Sequence, residues 1–159
     1  MKEFDSRLET SWWALRIGLG LGPIIAGADK FFNMLTDWSM YLSPLVTRVI
    51  PVNAATFMHV VGVVEVIAGI VVLGRYTRIG AWVVMAWLLS IAINLLTMGM
   101  FYDLAVRDVE IAIGAFALAE LSAVREGRTA GAQLGKAVGS SQYAVNRSVE
   151  RGNKLTGGI

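Results

Sequence analysis

The chain has no cysteine. That excludes disulfides, thiolate metal sites and thiol redox chemistry within it. It has a single histidine, His59, so bis-histidine haem ligation inside one chain is impossible. Charge is scarce as well: 16% of the 159 residues are charged, where soluble domains carry about 25%. From Ile79 to Tyr102 there is no charge at all. A soluble core helix of that length would show a charged face. No metal-ligand spacing, nucleotide-binding loop or nucleophile triad appears, and the glycines at 18, 20 and 22 lie in an apolar helix rather than after a strand.

What remains is apolar: 55% of residues are hydrophobic and the mean hydropathy is +0.59. The pattern predicts an all-α integral membrane protein. Its four spans fall at about 11–30, 54–74, 78–100 and 104–124, giving a four-helix membrane domain over 11–124. Residues 1–10 form a short mixed-charge lead. The first apolar stretch has no small-residue cleavage pattern behind it and is expected to be a retained span rather than a secretory signal. The weakest span is the last, where only Ile111–Ala119 is free of charge.

Lys and Arg fix an orientation. Lys2, Arg7, Arg75, Arg78, Arg125, Arg128, Lys136, Arg147, Arg151 and Lys154 fall on one side if four helices alternate. Lys30, Arg48 and Arg107 fall on the other, and Arg16 lies inside the first span. Ten against three predicts that both termini are cytoplasmic. The same placement explains the formal charge of +2 as membrane orientation, so nucleic acid is not an expected partner.

The connection 31–53 is long and rich in Met34, Trp38, Tyr41, Leu42, Leu45 and Val49 at helical spacing, with Pro44 and Pro51 interrupting it. It is expected to lie as an interfacial helix on the outer leaflet; the alternative is a re-entrant loop folded over the bundle.

Each span carries a polar or small stripe, which in lipid must face inward. Gly18 and Gly22 form a small-residue ridge on the first. On the second, His59, Gly62, Glu65 and Gly69 share a face; on the third, Ser90, Asn94 and Thr97. The fourth carries Asp103, Arg107, Glu110, Gly114 and Ala117 on one face, with Glu120 at its edge. Glu65 is the most informative. At 1.5 Å rise per residue it lies about 15 Å from either end of its span, where a carboxylate is costly unless it is protonated, paired or wet. Depth sorts the partners into an inner ionic cluster of Arg16, Glu65 and Glu120. An outer polar pocket would hold Lys30, His59, Asn94, Thr97, Asp103, Arg107 and Glu110. The inner cluster reads either as an ion pair fixing helix register or as a proton or ligand site. Arg16 could equally snorkel to the interface.

After residue 124 the composition changes abruptly to a basic Gly/Ala/Ser-rich tail over 125–159. Gly127, Gly131, Gly135 and Gly139 recur every four residues, a flat ridge for a close partner if helical. Each glycine costs about 1 kcal/mol relative to alanine, so the alternative is a loop with accidental spacing. The expected partners are membrane lipids and other membrane subunits, met through the tail and the helix faces.

Several segments together resemble the DoxX-like family of small four-helix membrane proteins. They are Arg16 early in the first span, GADKFF with Gly27 and Lys30 at its end, and VGVVEVIAGIVVLG with Glu65, Gly69 and Gly74. The turn RYTRIGA with Thr77 and Arg78, and the acidic opening RDVEIAIGAFAL of the last span, complete the set. The resemblance covers about Trp12 to Val124. It implies a cytoplasmic membrane of a bacterium or archaeon and association with quinone-linked redox systems. The expectation is an accessory subunit of such a complex, not an enzyme on its own. No motif encodes a cofactor; a quinone is the cofactor the resemblance admits. A small-solute or proton transporter using Glu65, and a purely structural subunit, are the competing readings.

Overall fold

The computed structural model describes residues 2–50 and 52–156. Pro51, expected to interrupt the connection, and the last three residues of the tail lie outside the described residues. Those described form five α-helices and no strand: α1 (Lys2–Asp29), α2 (Pro44–Val49), α3 (Ala54–Leu73), α4 (Thr77–Met98) and α5 (Tyr102–Thr156). A 3-10 turn, Trp38–Tyr41, precedes α2.

Two compact units divide the chain, Met1–Ser122 and Ala123–Ile159. In the first, the buried core is built from small residues as much as large ones. Ala68, Ala81, Ala115 and Ala119 pack with Trp12, Leu19, Val72, Val84 and Leu118. Ile25, Val60, Ile67 and Ile113 are instead more than half exposed. Small residues inside and large aliphatics outside suit helices that associate in lipid, where close backbone packing replaces the hydrophobic drive. α3 and α4 are each long and apolar enough to cross a membrane, and only 33% and 28% of their apolar windows is buried. A soluble protein's core helices would be mostly covered.

α1 and α3 cross at glycine. A Cβ on Gly27 would stand 2.5 Å from the Gly62 carbonyl oxygen, and one on Gly62 would stand 2.5 Å from that of Gly27. One heptad along each helix, Gly20 and Gly69 meet in the same antiparallel register. The ridge expected at Gly18 and Gly22 is not the contact: nothing lies within 4 Å of a Cβ at either, and both line a cavity.

Helix ends follow local chemistry. The Asn53 side chain accepts from the Ala55 amide at 2.9 Å and starts α3. The Gly74 amide closes it on the Ile70 carbonyl at 2.8 Å. Thr77 Oγ1 then donates to the Val72 carbonyl at 3.0 Å, tying the turn into α4. α4 ends at Gly99 in the left-handed region (φ 68°). α1 starts well ahead of the expected Ser11.

Of the connection 31–53, expected to lie as an interfacial helix, only Trp38–Tyr41 and Pro44–Val49 are helical. Asn33 turns left-handed (φ 50°), and the Asp29 carboxylate gathers the chain behind it, accepting from the amides of Met34 and Leu35 at 3.0 Å each. Pro44 then takes the first position of a six-residue helix capped by Ser43. The result is a strap of a 3-10 turn and a short helix, whose Leu35, Trp38, Tyr41 and Val46 line a cavity shared with α1, α3, α4 and α5. This is closer to a loop folded over the bundle.

The second unit is helical through its described residues. Gly127, Gly131, Gly135 and Gly139 are exposed, with nothing within 4 Å of a Cβ at any of them. Arg147 lies 5.2 Å from the centre of the Tyr143 ring.

Candidate functional site

Helix α1 ends at Asp29 and Lys30 follows it, and these two charges point to different neighbours. Asp29 Oδ2 accepts from the Trp38 indole at 2.8 Å in addition to the Leu35 amide, which fastens the strap. Lys30 turns toward α3 and meets Glu65 Oε2 at 2.6 Å, with side chains 4% and 8% exposed. The Trp87 indole, from α4, reaches the other Glu65 oxygen at 3.4 Å. The Trp38 ring covers the Lys30 ammonium, 3.7 Å from its centre, so strap and ion pair close on each other through a cation–π contact. Both oxygens of the buried carboxylate are therefore occupied, as a buried charge requires. Among the described residues no buried side-chain nitrogen or oxygen lacks a partner.

A second pair stands on α5. Arg107 Nε and Nη2 donate to Asp108 Oδ1 at 3.2 and 3.0 Å. Asp108 is buried and Arg107 is 58% exposed. Asn94 performs a different task. Its amide nitrogen donates to the Tyr41 carbonyl at 2.7 Å, and its oxygen accepts from the Ser43 amide at 3.1 Å. Thr97 Oγ1 lies 3.2 Å from Ser43 Oγ. Asn94 and Thr97 thus hold the far end of the strap, as Asp29 holds its beginning.

Between these groups lies a cavity of about 760 Å³, within the size range of small-molecule sites. Its wall is mostly apolar, with Leu, Val, Ile, Met and Phe joined by Gly, Ala and Pro. The polar exceptions include Lys30, Glu65, Arg107 and Asp108, with Trp38, Tyr41, Trp87 and Asn94 beside them.

The expected inner cluster is redrawn. Lys30, not Arg16, meets Glu65. Arg16 donates from Nε to the Val72 carbonyl at 3.2 Å and from Nη2 to those of Gly74, at 2.6 Å, and Leu73. These are the carbonyls that the end of α3 leaves without intrahelical partners, at the negative end of its dipole. The guanidinium lies 4.9 Å from the ring centres of both Trp12 and Trp13. A helix end offers a fixed guanidinium several oxygens at no desolvation cost to a second charge, which is why it outcompetes a carboxylate farther along. Glu120 is exposed.

The outer pocket is redrawn too. Lys30, Asn94 and Arg107 line the common cavity. His59 is exposed and stacks on Phe31, ring centres 4.8 Å apart and 7° from parallel. Thr97, Asp103 and Glu110 are exposed and off the cavity wall. Three contributors escaped the sequence reading. Trp87 stands on the Ser90–Asn94–Thr97 stripe, one step earlier, so periodicity could have found it. Asp29 could have been found as the polar neighbour of Lys30 at a helix end. Trp38 was assigned to the membrane surface, because an aromatic in an outer connection carries no sign of turning inward.

The sequence model of the DoxX family matches residues 11–98. No curated protein and no solved structure matches the chain. The matched stretch contains Arg16 and the α3 carbonyls it holds, the Lys30–Glu65 pair, the strap, Trp87 and Asn94; the start of α1 and all of α5, with Arg107 and Asp108, lie beyond it. With more than half of its length matched, and with apolar helices of membrane length inside the match, the chain is a membrane protein that belongs to the DoxX family.

Proposed function

We propose that the protein is a non-catalytic accessory subunit of a quinone-linked redox complex in a bacterial or archaeal cytoplasmic membrane. In this reading α1 and the first part of α5 join α3 and α4 as spans, with both termini cytoplasmic and the tail on a partner subunit. The observation that carries it is the state of Glu65. The deep carboxylate is paired and hydrogen-bonded on both oxygens, committed to holding α1, α3 and α4 rather than left free to react. The quinone link comes from the family resemblance.

Two measurements test it. A reporter fused after Ile159 is expected to behave as cytoplasmic, from the ten-to-three asymmetry of Lys and Arg; efficient export of that end rejects the four-span arrangement. Purification of the full chain in mild detergent is expected to bring quinone-linked redox subunits with it. Removal of Thr129–Ile159 should leave the chain inserted but weaken that association. A helix carrying four exposed glycines draws little stability from its own backbone, and a contact is needed to supply it. Full retention of the partners after truncation rejects tail docking; absence of any redox partner rejects the subunit reading.

The cavity beside Glu65 favours one other reading, a proton-coupled carrier of a small solute. Proton-driven uptake by purified protein in vesicles, abolished by Glu65→Gln, would select it.

A further inference from the structure

We propose that the outward face of α5 docks a membrane-spanning helix of another protein, one that carries two cationic side chains about ten residues apart. One side of α5 belongs to the bundle: Ala112, Ala115, Leu118 and Ala119 are buried in it. The opposite side carries Val106, Glu110, Ile113, Ala117 and Glu120, at successive steps of four, three, four and three residues. That is the period of a seam between two packed helices. Val106 and Ile113 are 60% and 63% exposed. Glu110 and Glu120 are exposed too, and Ala117 is half-buried. The seam is formed but has no helix against it among the described residues.

Lipid would cover Val106, Ile113 and Ala117 well. It does not suit the two carboxylates. The inference rests on the reading above, in which residues 104–124 span the membrane. Glu110 and Glu120 then lie about 9 Å and about 6 Å inside the two ends of that span, at 1.5 Å per residue. Among the described residues neither side chain has an ion pair or a hydrogen bond. Arg107, three residues before Glu110, commits its guanidinium to Asp108. Ionisable groups at such depth are costly and pair with protein, so the occupant of this face must bring the cations.

A second copy of the chain does not meet that requirement. Where two parallel helices pack about a two-fold axis, each seam residue meets its own counterpart. Glu110 would face Glu110 and Glu120 would face Glu120, like charges in a medium that screens them poorly. Lipid headgroups hold their charges at the surface, above the depth of Glu110. A helix of another protein can carry Lys or Arg at both depths, about 15 Å apart along its axis. This names the chemistry of a partner for the subunit reading.

The probe is a synthetic leucine–alanine transmembrane peptide with two lysines about ten residues apart on one face, bearing a dansyl group. It is titrated into the purified full chain in mild detergent, and energy transfer from the chain's tryptophans reads association. The lysine peptide is expected to bind at least about tenfold more tightly than one with leucines in their place, the discrimination of one charged hydrogen bond. Glu110→Gln with Glu120→Gln keeps the shape of the face, removes its charge and should erase that preference. Val60→Leu, on the exposed face of α3, should leave it intact. Equal binding of the two peptides, or a preference that survives the double glutamine variant, overturns the proposal. The chain has no cysteine, so Ile113→Cys can be read cleanly. Its labelling by a membrane-impermeant maleimide in opened membranes would place the face in water. Efficient disulfide cross-linking between copies would give the face to a second chain. Either result overturns the proposal. Redox partners are read separately, by co-purification. Partners without a lysine preference reject this surface alone, and a lysine preference without redox partners rejects the subunit role alone.

Discussion

Lys30→Met is expected to destabilise the protein by about 3–5 kcal/mol, the usual cost of breaking a buried ion pair from one side. The loss is that large because Glu65, 6% exposed, stays at its depth while losing its nearest partner. The Trp87 indole at 3.4 Å cannot neutralise it. Removing both charges is a different experiment. Lys30→Met with Glu65→Leu exchanges the pair for apolar groups of similar volume and should recover most of the loss. Unfolding in detergent, followed by loss of helical signal for the single and double variants, measures the difference. Equal stability of single and double variants would show that the pair is solvated and that burial is not what makes it matter.

The second large effect is expected at Gly62. A Cβ there would stand 2.5 Å from the Gly27 carbonyl oxygen and 3.2 Å from Lys30 Cβ. The first obstacle is backbone, which no rotamer change can relieve, so Gly62→Leu must separate α1 from α3. Overpacking a close contact costs about 1–3 kcal/mol. The upper end is expected, since separation also lengthens the Lys30–Glu65 pair. Gly18→Ala is the matched control. Nothing lies within 4 Å of a Cβ at that position, and the variant should hold its Tm or gain slightly from helix propensity, by up to about 1 kcal/mol. A Tm for Gly62→Leu equal to that of the control would mean that the two helices do not meet at this crossing.

How far the sequence could lead depended on what kind of signal each feature left. α3 and α4 were readable nearly to the residue, because long apolar runs with at most one charge, Glu65 in α3 and Arg78 at the start of α4, have one dominant explanation. That Glu65 had to be protonated, paired or wet was also readable, since depth alone sets the cost. Which cation pairs with it was not. Depth counting assigned Arg16 to it and put Lys30 in the outer pocket, but where Arg16 goes turns on where α3 ends. That end presents the Val72, Leu73 and Gly74 carbonyls to Arg16, a group of acceptors invisible to any side-chain pattern. The close glycines were hidden for a related reason. Gly18, Gly20 and Gly22 look alike in sequence, and only the crossing with α3 selects Gly20 and Gly27 over the others. The strap was misread because its helical spacing is real in sequence. Asp29 overrides it by collecting three donors from residues 34, 35 and 38.

α1 is gripped by α3 along its length: Arg16 on the last carbonyls of α3, Lys30 on Glu65, and two glycine crossings between them. Mechanically the two helices make a splint. A splint neither bows nor slides without releasing several contacts at once, so the trough beside it keeps its width. The strap is fastened differently, by hydrogen bonds gathered at Asp29 at one end and at Asn94 at the other. The chamber is thus a trough braced by two locked helices, under a cover latched at two points, at Asp29 and at Asn94.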